Sequence, residues 1–118
     1  MGKLLDFYED TGKERVGAIL KDGSVYEFEN VHPEPYEAFD VAPEELIRLD
    51  DEMKATFHTH PKFTSNLSAE DYQAFTNWPD LIHIIIGNDG PSAYIVENGK
   101  VLNASESDLA WLSKKDLL

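Results

Sequence analysis

Apolar residues recur along this chain in two rhythms, one near period two and one near 3.6. Their alternation predicts interleaved strands and helices. Leu4, Leu5, Phe7 and Tyr8 have the spacing of a short amphipathic helix that stops at Thr11-Gly12. Ala18-Ile19-Leu20 reads as a first strand, and Asp22-Gly23 as a two-residue hairpin turn into a second strand at 25–29. In that strand Tyr26 and Phe28 face one way, while Val25, Glu27 and Glu29 face the other. His32-Pro33-Glu34-Pro35 cannot be regular structure, and Pro43 suits the first position of a helix with an apolar stripe of Leu46, Ile47, Leu49 and Met53. Thr56 and Phe57 lie in a strand that Pro61 ends, with Ala55, Phe57 and Thr59 on the face opposite His58 and His60. A helix from Ser68 carries Tyr72, Phe75 and Trp78 as packing residues, and Pro79 closes it. Residues 81–86 form an apolar run broken only by His83, the mark of a strand buried on both faces. Asn88-Asp89-Gly90-Pro91 reads as a turn before a strand at 92–97. Asn98-Gly99 is a second hairpin signal before Lys100-Val101-Leu102, and Asp108 is placed to cap a last helix with Leu109, Trp111, Leu112 and Leu117.

Interleaving of this kind argues for an α/β protein with a mixed β-sheet flanked by helices, and the two hairpins require antiparallel pairs within it. The 118 residues suffice for one domain with a real core, read here as 1–118. There is no repeat, linker or low-complexity segment. No apolar run approaches a membrane span and no signal-peptide pattern opens the chain. The absence of cysteine removes disulfides and thiolate metal sites and fits a cytoplasmic setting. A formal charge of −13 repels phosphate backbones and anionic lipid, so neither nucleic acid nor membrane is an expected partner. A basic protein segment suits that charge, although acidity also serves solubility alone.

The densest chemistry lies between His58 and Asp71. Alternation on a strand points the His58 and His60 imidazoles to the same side, and a helix restarting at Ser68 sets Asp71 in its first turn. Two imidazoles and a carboxylate are a donor set suited to zinc, and three protein ligands leave a fourth position open, as catalytic zinc sites do. Each half also has a plainer reading. Ser68-x-x-Asp71 has the form of a capping box, and a His-x-His pair can be a solvated strand face. His83 is a further ligand candidate, with a backbone partner as its ordinary fate, and His32 reads as an exposed loop residue.

His58-x-His60-Pro61, six residues, then Ser68-x-x-Asp71 resembles the signature of the JAMM (MPN) metalloproteases. The resemblance implies a cytidine deaminase-like JAMM/MPN sandwich and zinc-dependent hydrolysis of a peptide or isopeptide bond. In that reading His58, His60 and Asp71 hold Zn2+, Ser68 supports the polarised carbonyl, and an upstream Glu is general base to the activated water. Glu14-Arg15-Val16-Gly17 is similar to the Glu-x-x-Gly that opens the first long strand in the phage tail-assembly branch, which points to Glu14. Val16 stands where that branch often has Cys, and Glu9, Glu27 and Glu29 are the rival carboxylates. The run from Asn30 through Phe39 to Pro43 is similar to the same branch. A cell-wall hydrolase domain often follows there, and none is read in these residues. The implied substrate is a phage tail structural protein cut at a flexible segment in the host cytoplasm. The loops are too short to hold ubiquitin as the deubiquitinating members do. The alternatives are a small prokaryotic JAMM peptidase trimming a sulfur-carrier or ubiquitin-like protein, and a non-catalytic JAMM-like interaction module, which would usually lose a ligand.

Overall fold

Six stretches with strand character join edge to edge in one mixed sheet. In the computed structural model, which describes residues 2–10, 12–36 and 38–118, these are β1 (Val16–Leu20), β2 (Val25–Phe28), β3 (Met53–Thr59), β4 (Ile82–Gly87), β5 (Gly90–Glu97) and β6 (Lys100–Asn103). Their order is β2-β1-β3-β4-β5-β6. β3 and β4 are parallel and every other neighbouring pair is antiparallel. A parallel pair needs a crossover, and α2 (Ala69–Thr76) lies in it. The remaining helices are α1 (Pro43–Leu49) and α3 (Glu106–Lys114). Both expected hairpins form, but only the second is a two-residue turn, with Asn98 and Gly99 left-handed at 54° and 77°. The first closes over Lys21, Asp22 and Gly23: the Leu20 N–H donates to the Ser24 carbonyl, and of the three only Gly23 is left-handed, at 91°.

The pleat divides the core in two. Ile19, Ala55, Phe57, Ile82, Ile84 and Ile86 meet Leu4, Leu112 and Leu117 on one face. Val16, Ala18 and Phe28 meet Leu49 and Met53 on the other. Gly17 faces the first core, where the Phe57 ring and the Tyr26 carbonyl occupy the space a Cβ would take. The glycine of Glu14-x-x-Gly17 is therefore explained by packing. β4 is buried at all six positions, as a central strand should be.

Several boundaries differ from the sequence expectation. The first helix is a 3-10 segment, Lys3–Phe7, with Leu4 buried and Phe7 against Phe57 at 4.8 Å; Thr11 of its expected stop lies outside the described residues. Met53 does not extend the stripe of α1, because a 3-10 turn, Asp50–Glu52, intervenes and Met53 begins β3. Three acidic side chains against a helix C-terminus oppose its dipole, which favours the break there. Trp78 lies beyond α2, whose C-cap is Asn77, and both Tyr72 and Trp78 keep over a third of their surface exposed. Glu29 falls outside β2. β5 begins at Gly90, so Pro91 pairs with Ile86 next to the turn, where a missing N–H is tolerated. Ser105, not Asp108, caps α3; Asp108 is the reciprocal partner in its capping box, and Leu117 follows the helix. Among the described residues no helix is long and apolar enough to cross a membrane.

Candidate metal centre

His58 sits opposite Val16 of β1 near the end of β3. The ladder runs one step further, since the His60 N–H donates to the Ile86 carbonyl at 2.8 Å. Both imidazoles thus project from the face that α2 covers. Ser68 is the N-cap of α2: its hydroxyl accepts from the Asp71 N–H at 3.0 Å and its own N–H donates to Asp71 Oδ2 at 3.3 Å. The capping box and the candidate metal group share Asp71, and the box fixes its carboxylate toward the histidines. Asp71 Oδ1 lies 3.1 Å from His58 Nε2, Asp71 Oδ2 lies 3.1 Å from His60 Nε2, and the two Nε2 atoms are 3.2 Å apart. His58, His60 and Asp71 form the group whose donor atoms could hold a metal ion, all within 4.8 Å of one another.

Burial and pairing set the charges of the group. Burial alone would raise the Asp71 pKa, but hydrogen bonds with His58 and His60 outweigh it and hold the carboxyl well below its usual range. Burial lowers His58, against the pull of Asp71. Burial also acts to lower His60, yet the bonds to Asp71 and to the Thr64 carbonyl raise it overall. His60 Nδ1 lies 3.0 Å from the Thr64 carbonyl, which can only accept. In the neutral ring this places the proton on Nδ1 and leaves the Nε2 lone pair facing Asp71 and His58. A carbonyl behind a ligand histidine is the usual device for fixing its tautomer.

Glu14 precedes β1 and lines the same cavity, of about 870 Å³, as His58, His60, Asp71 and Ser68. Its N–H donates to the Pro35 carbonyl and its own carbonyl accepts from Asn30 Nδ2, both at 2.8 Å. Burial raises the carboxyl pKa to about 7; His60 opposes this, and Asp71 and Glu70 add to it. The rival carboxylates do none of this. Glu27 pairs with Arg15 at 2.7 Å, Glu9 lies 4.0 Å from the same guanidinium, and Glu29 is exposed. None of the three lines the cavity. The Ser68 hydroxyl accepts the Asp71 N–H, and its hydrogen bond to the Asp71 side chain helps to hold that carboxyl down.

His83 stays out of the group. Its Nε2 donates to the Trp78 carbonyl at 3.0 Å, its Nδ1 accepts from Thr56 Oγ1 at 2.8 Å, and its ring stacks on Phe75 at 4.2 Å. His32 Nδ1 accepts the Glu34 N–H at 2.9 Å within its loop.

Two supports went unread in the sequence. Asn30 is a hub: Nδ2 also reaches the Ala38 carbonyl, and Oδ1 accepts from the N–H groups of His32 and Asp40. One side chain thereby ties the Glu14 backbone to the loop that sets Phe39 against the His58 ring, 4.7 Å between centroids. The second is the anchor of the loop at 61–67. Ser65 is buried, its N–H bonded to Asp89, its hydroxyl to Ser92 and its carbonyl to Tyr94. The loop passes so close to Gly87 that a Cβ there would collide with Ser65 N and the Thr64 carbonyl carbon. An Asn before a Pro-rich loop was a visible signal for the first support; Gly87 at the end of an apolar run was the signal for the second.

No family model matches the chain, and no curated protein matches it. Among solved structures it is similar to the solution structure of protein DSY2949 from Desulfitobacterium hafniense. The TM-score is 0.65 and the identity 26%, over 87% of this chain and 84% of that one. The likeness covers most of both chains and speaks to the α/β fold.

Proposed function

We propose that this chain is a zinc-dependent peptidase of the JAMM type, with a cytidine deaminase-like sandwich as its fold. The observation that carries the reading is the convergence of His58 Nε2, His60 Nε2 and the Asp71 carboxylate at 3.1–3.2 Å in the cavity that also holds Glu14. A tetrahedral ion with bonds of about 2.0–2.1 Å keeps neighbouring donors ~3.3 Å apart, so the spacing fits zinc with little adjustment. The nitrogen and oxygen donors and the carbonyl behind His60 fit it as well.

When bound, zinc supplies a Lewis acid that polarises a carbonyl and lowers the pKa of water to about 7. The rest falls to the chain. Glu14, a carboxylate in the same cavity, is placed to take a proton from the attacking water and return it to the leaving amine. Ser68 lines the cavity, and by turning its hydroxyl proton away from Asp71 it would donate to the oxyanion that develops on the scissile carbonyl. Asn30 ties the Glu14 carbonyl to the loop at Ala38, and the Pro35 carbonyl holds the Glu14 N–H, so less freedom is lost when the carboxylate is positioned.

The substrate's source rests on the resemblance to the tail-assembly branch: a phage tail structural protein, cut in a flexible segment. Glu14→Gln tests the mechanism. Zinc content and folding stay as in wild type, while cleavage falls by about 10²–10⁴-fold. Full cleavage by this variant, with loss in Glu27→Gln or Glu29→Gln, would move the base elsewhere; full cleavage by all three would end the Glu-based mechanism.

A further inference from the structure

The cavity around the His58, His60 and Asp71 group is larger than a metal ion and one peptide bond need. Packed interiors hold few voids bigger than a water molecule, whereas about 870 Å³ is the size of a site that encloses a ligand or a large side chain. Beyond the metal group its walls are mostly apolar. Val16, Phe28 and Met53 are buried core residues that form the back. Phe39, Val41 and Leu46 are only half-buried, so their apolar faces stay open to the space. Two exposed rings also line it, Tyr36 at 60% and Phe63 at 70% exposure. The acidic side chains of the lining are Glu14, Asp40, Glu70 and Asp71, and no Lys or Arg is among its described residues. A dication against four carboxylates leaves the lining net negative, so a substrate's terminal carboxylate meets repulsion and no cationic clamp.

Building on the peptidase reading above, we propose that this cavity is a specificity pocket for a large apolar side chain next to the cleaved bond. The substrate is an internal segment of a peptide, and the chain acts as an endopeptidase. Apolar walls reward Phe or Leu by area removed from water, roughly 10–100-fold over Ala. The acidic lining excludes Asp, Glu and a free C-terminus and favours neutral or basic flanking residues.

The test uses the whole zinc-loaded chain and internally quenched peptides, acetylated and amidated, alike except for Phe, Leu, Ala or Asp scanned through the positions flanking the bond. One position is expected at which Phe and Leu exceed Ala and Asp at least about 10-fold in kcat/KM, with no gain from a free carboxylate. Val41→Phe and, independently, Leu46→Phe fill the space and are expected to bring kcat/KM for the Phe and Leu peptides down to that of the Ala peptide. A second readout is binding to the Glu14→Gln variant, followed by the fluorescence of Trp78, which lines the cavity, whereas Trp111 packs on the other core. Equal kcat/KM across the set overturns the pocket and leaves the peptidase standing. Tight binding of Phe peptides without cleavage by wild type upholds the pocket and overturns the peptidase. Neither binding nor cleavage overturns both.

Discussion

Replacing His83 by Gln changes the acid sensitivity of the fold and leaves the metal group untouched. His83 is 2% exposed, and burial lowers its pKa to about 4, with His58 adding to the effect and the Trp78 carbonyl opposing it. Unfolded, the ring titrates near 6.5. Between these values the unfolded chain takes up a proton that the folded chain refuses. The stability that depends on neutral His83 is thus complete above pH ~6.5, declines on acidification, and is gone near pH ~4. The gap corresponds to about 3 kcal/mol. Gln keeps a donor for the Trp78 carbonyl and an acceptor for the Thr56 hydroxyl but binds no proton. Glu14, with its raised pKa, acts with the opposite sign between the usual carboxylate range and about 7, and cancels when variant and wild type are compared. The assay is urea unfolding of the metal-free protein at several pH values from 7.5 to 4. The advantage of wild type over His83→Gln should shrink by about 3 kcal/mol across that range, with zinc affinity at pH 7.5 equal in both. Parallel stability curves would refute the buried neutral imidazole, and lost zinc in the variant would make His83 a ligand.

Gly87→Ala forces the Thr64 carbonyl away from His60 Nδ1. Zinc affinity should fall about 10–100-fold, as when other supports behind a ligand are lost, measured by competition with a chromophoric chelator; unchanged affinity would detach the loop from the metal site. Ser68→Ala should cost about 1 kcal/mol as a lost N-cap and about 10²–10³-fold in kcat as a lost oxyanion donor. A stability loss with kcat within about threefold would leave Ser68 a cap and nothing more.

The parts of this molecule that are local in the chain were legible before its fold. The strands, the two Gly-bearing hairpins and the Ser68-x-x-Asp71 helix start each follow from neighbouring residues, and the His58, His60 and Asp71 group follows from one strand, one short loop and one cap. The errors have local causes too. Met53 matched the helical period of α1, but the acidic run 50–52 was the better signal, since it sits badly at a helix C-terminus. Asp108 was read as a cap although Ser105-x-x-Asp108 has the same box form as Ser68-x-x-Asp71. What stayed hidden depends on contacts between distant residues. Asn30 meets Glu14, and Gly87 meets Thr64 and Ser65, only once β1, β3 and β4 are paired. The pKa of Glu14 likewise comes from burial that no single stretch of sequence encodes.

The most direct measurement for the central claim is zinc stoichiometry combined with X-ray absorption at the zinc edge, on wild type beside a His58→Ala, His60→Ala double variant. Wild type should retain about one zinc per chain after dialysis, with two imidazole nitrogens and a carboxylate oxygen at about 2.0–2.2 Å and a further light-atom ligand. The double variant should retain none. Equal zinc content in the two proteins, or a wild-type spectrum without imidazole scattering, would contradict a metal centre built from His58, His60 and Asp71.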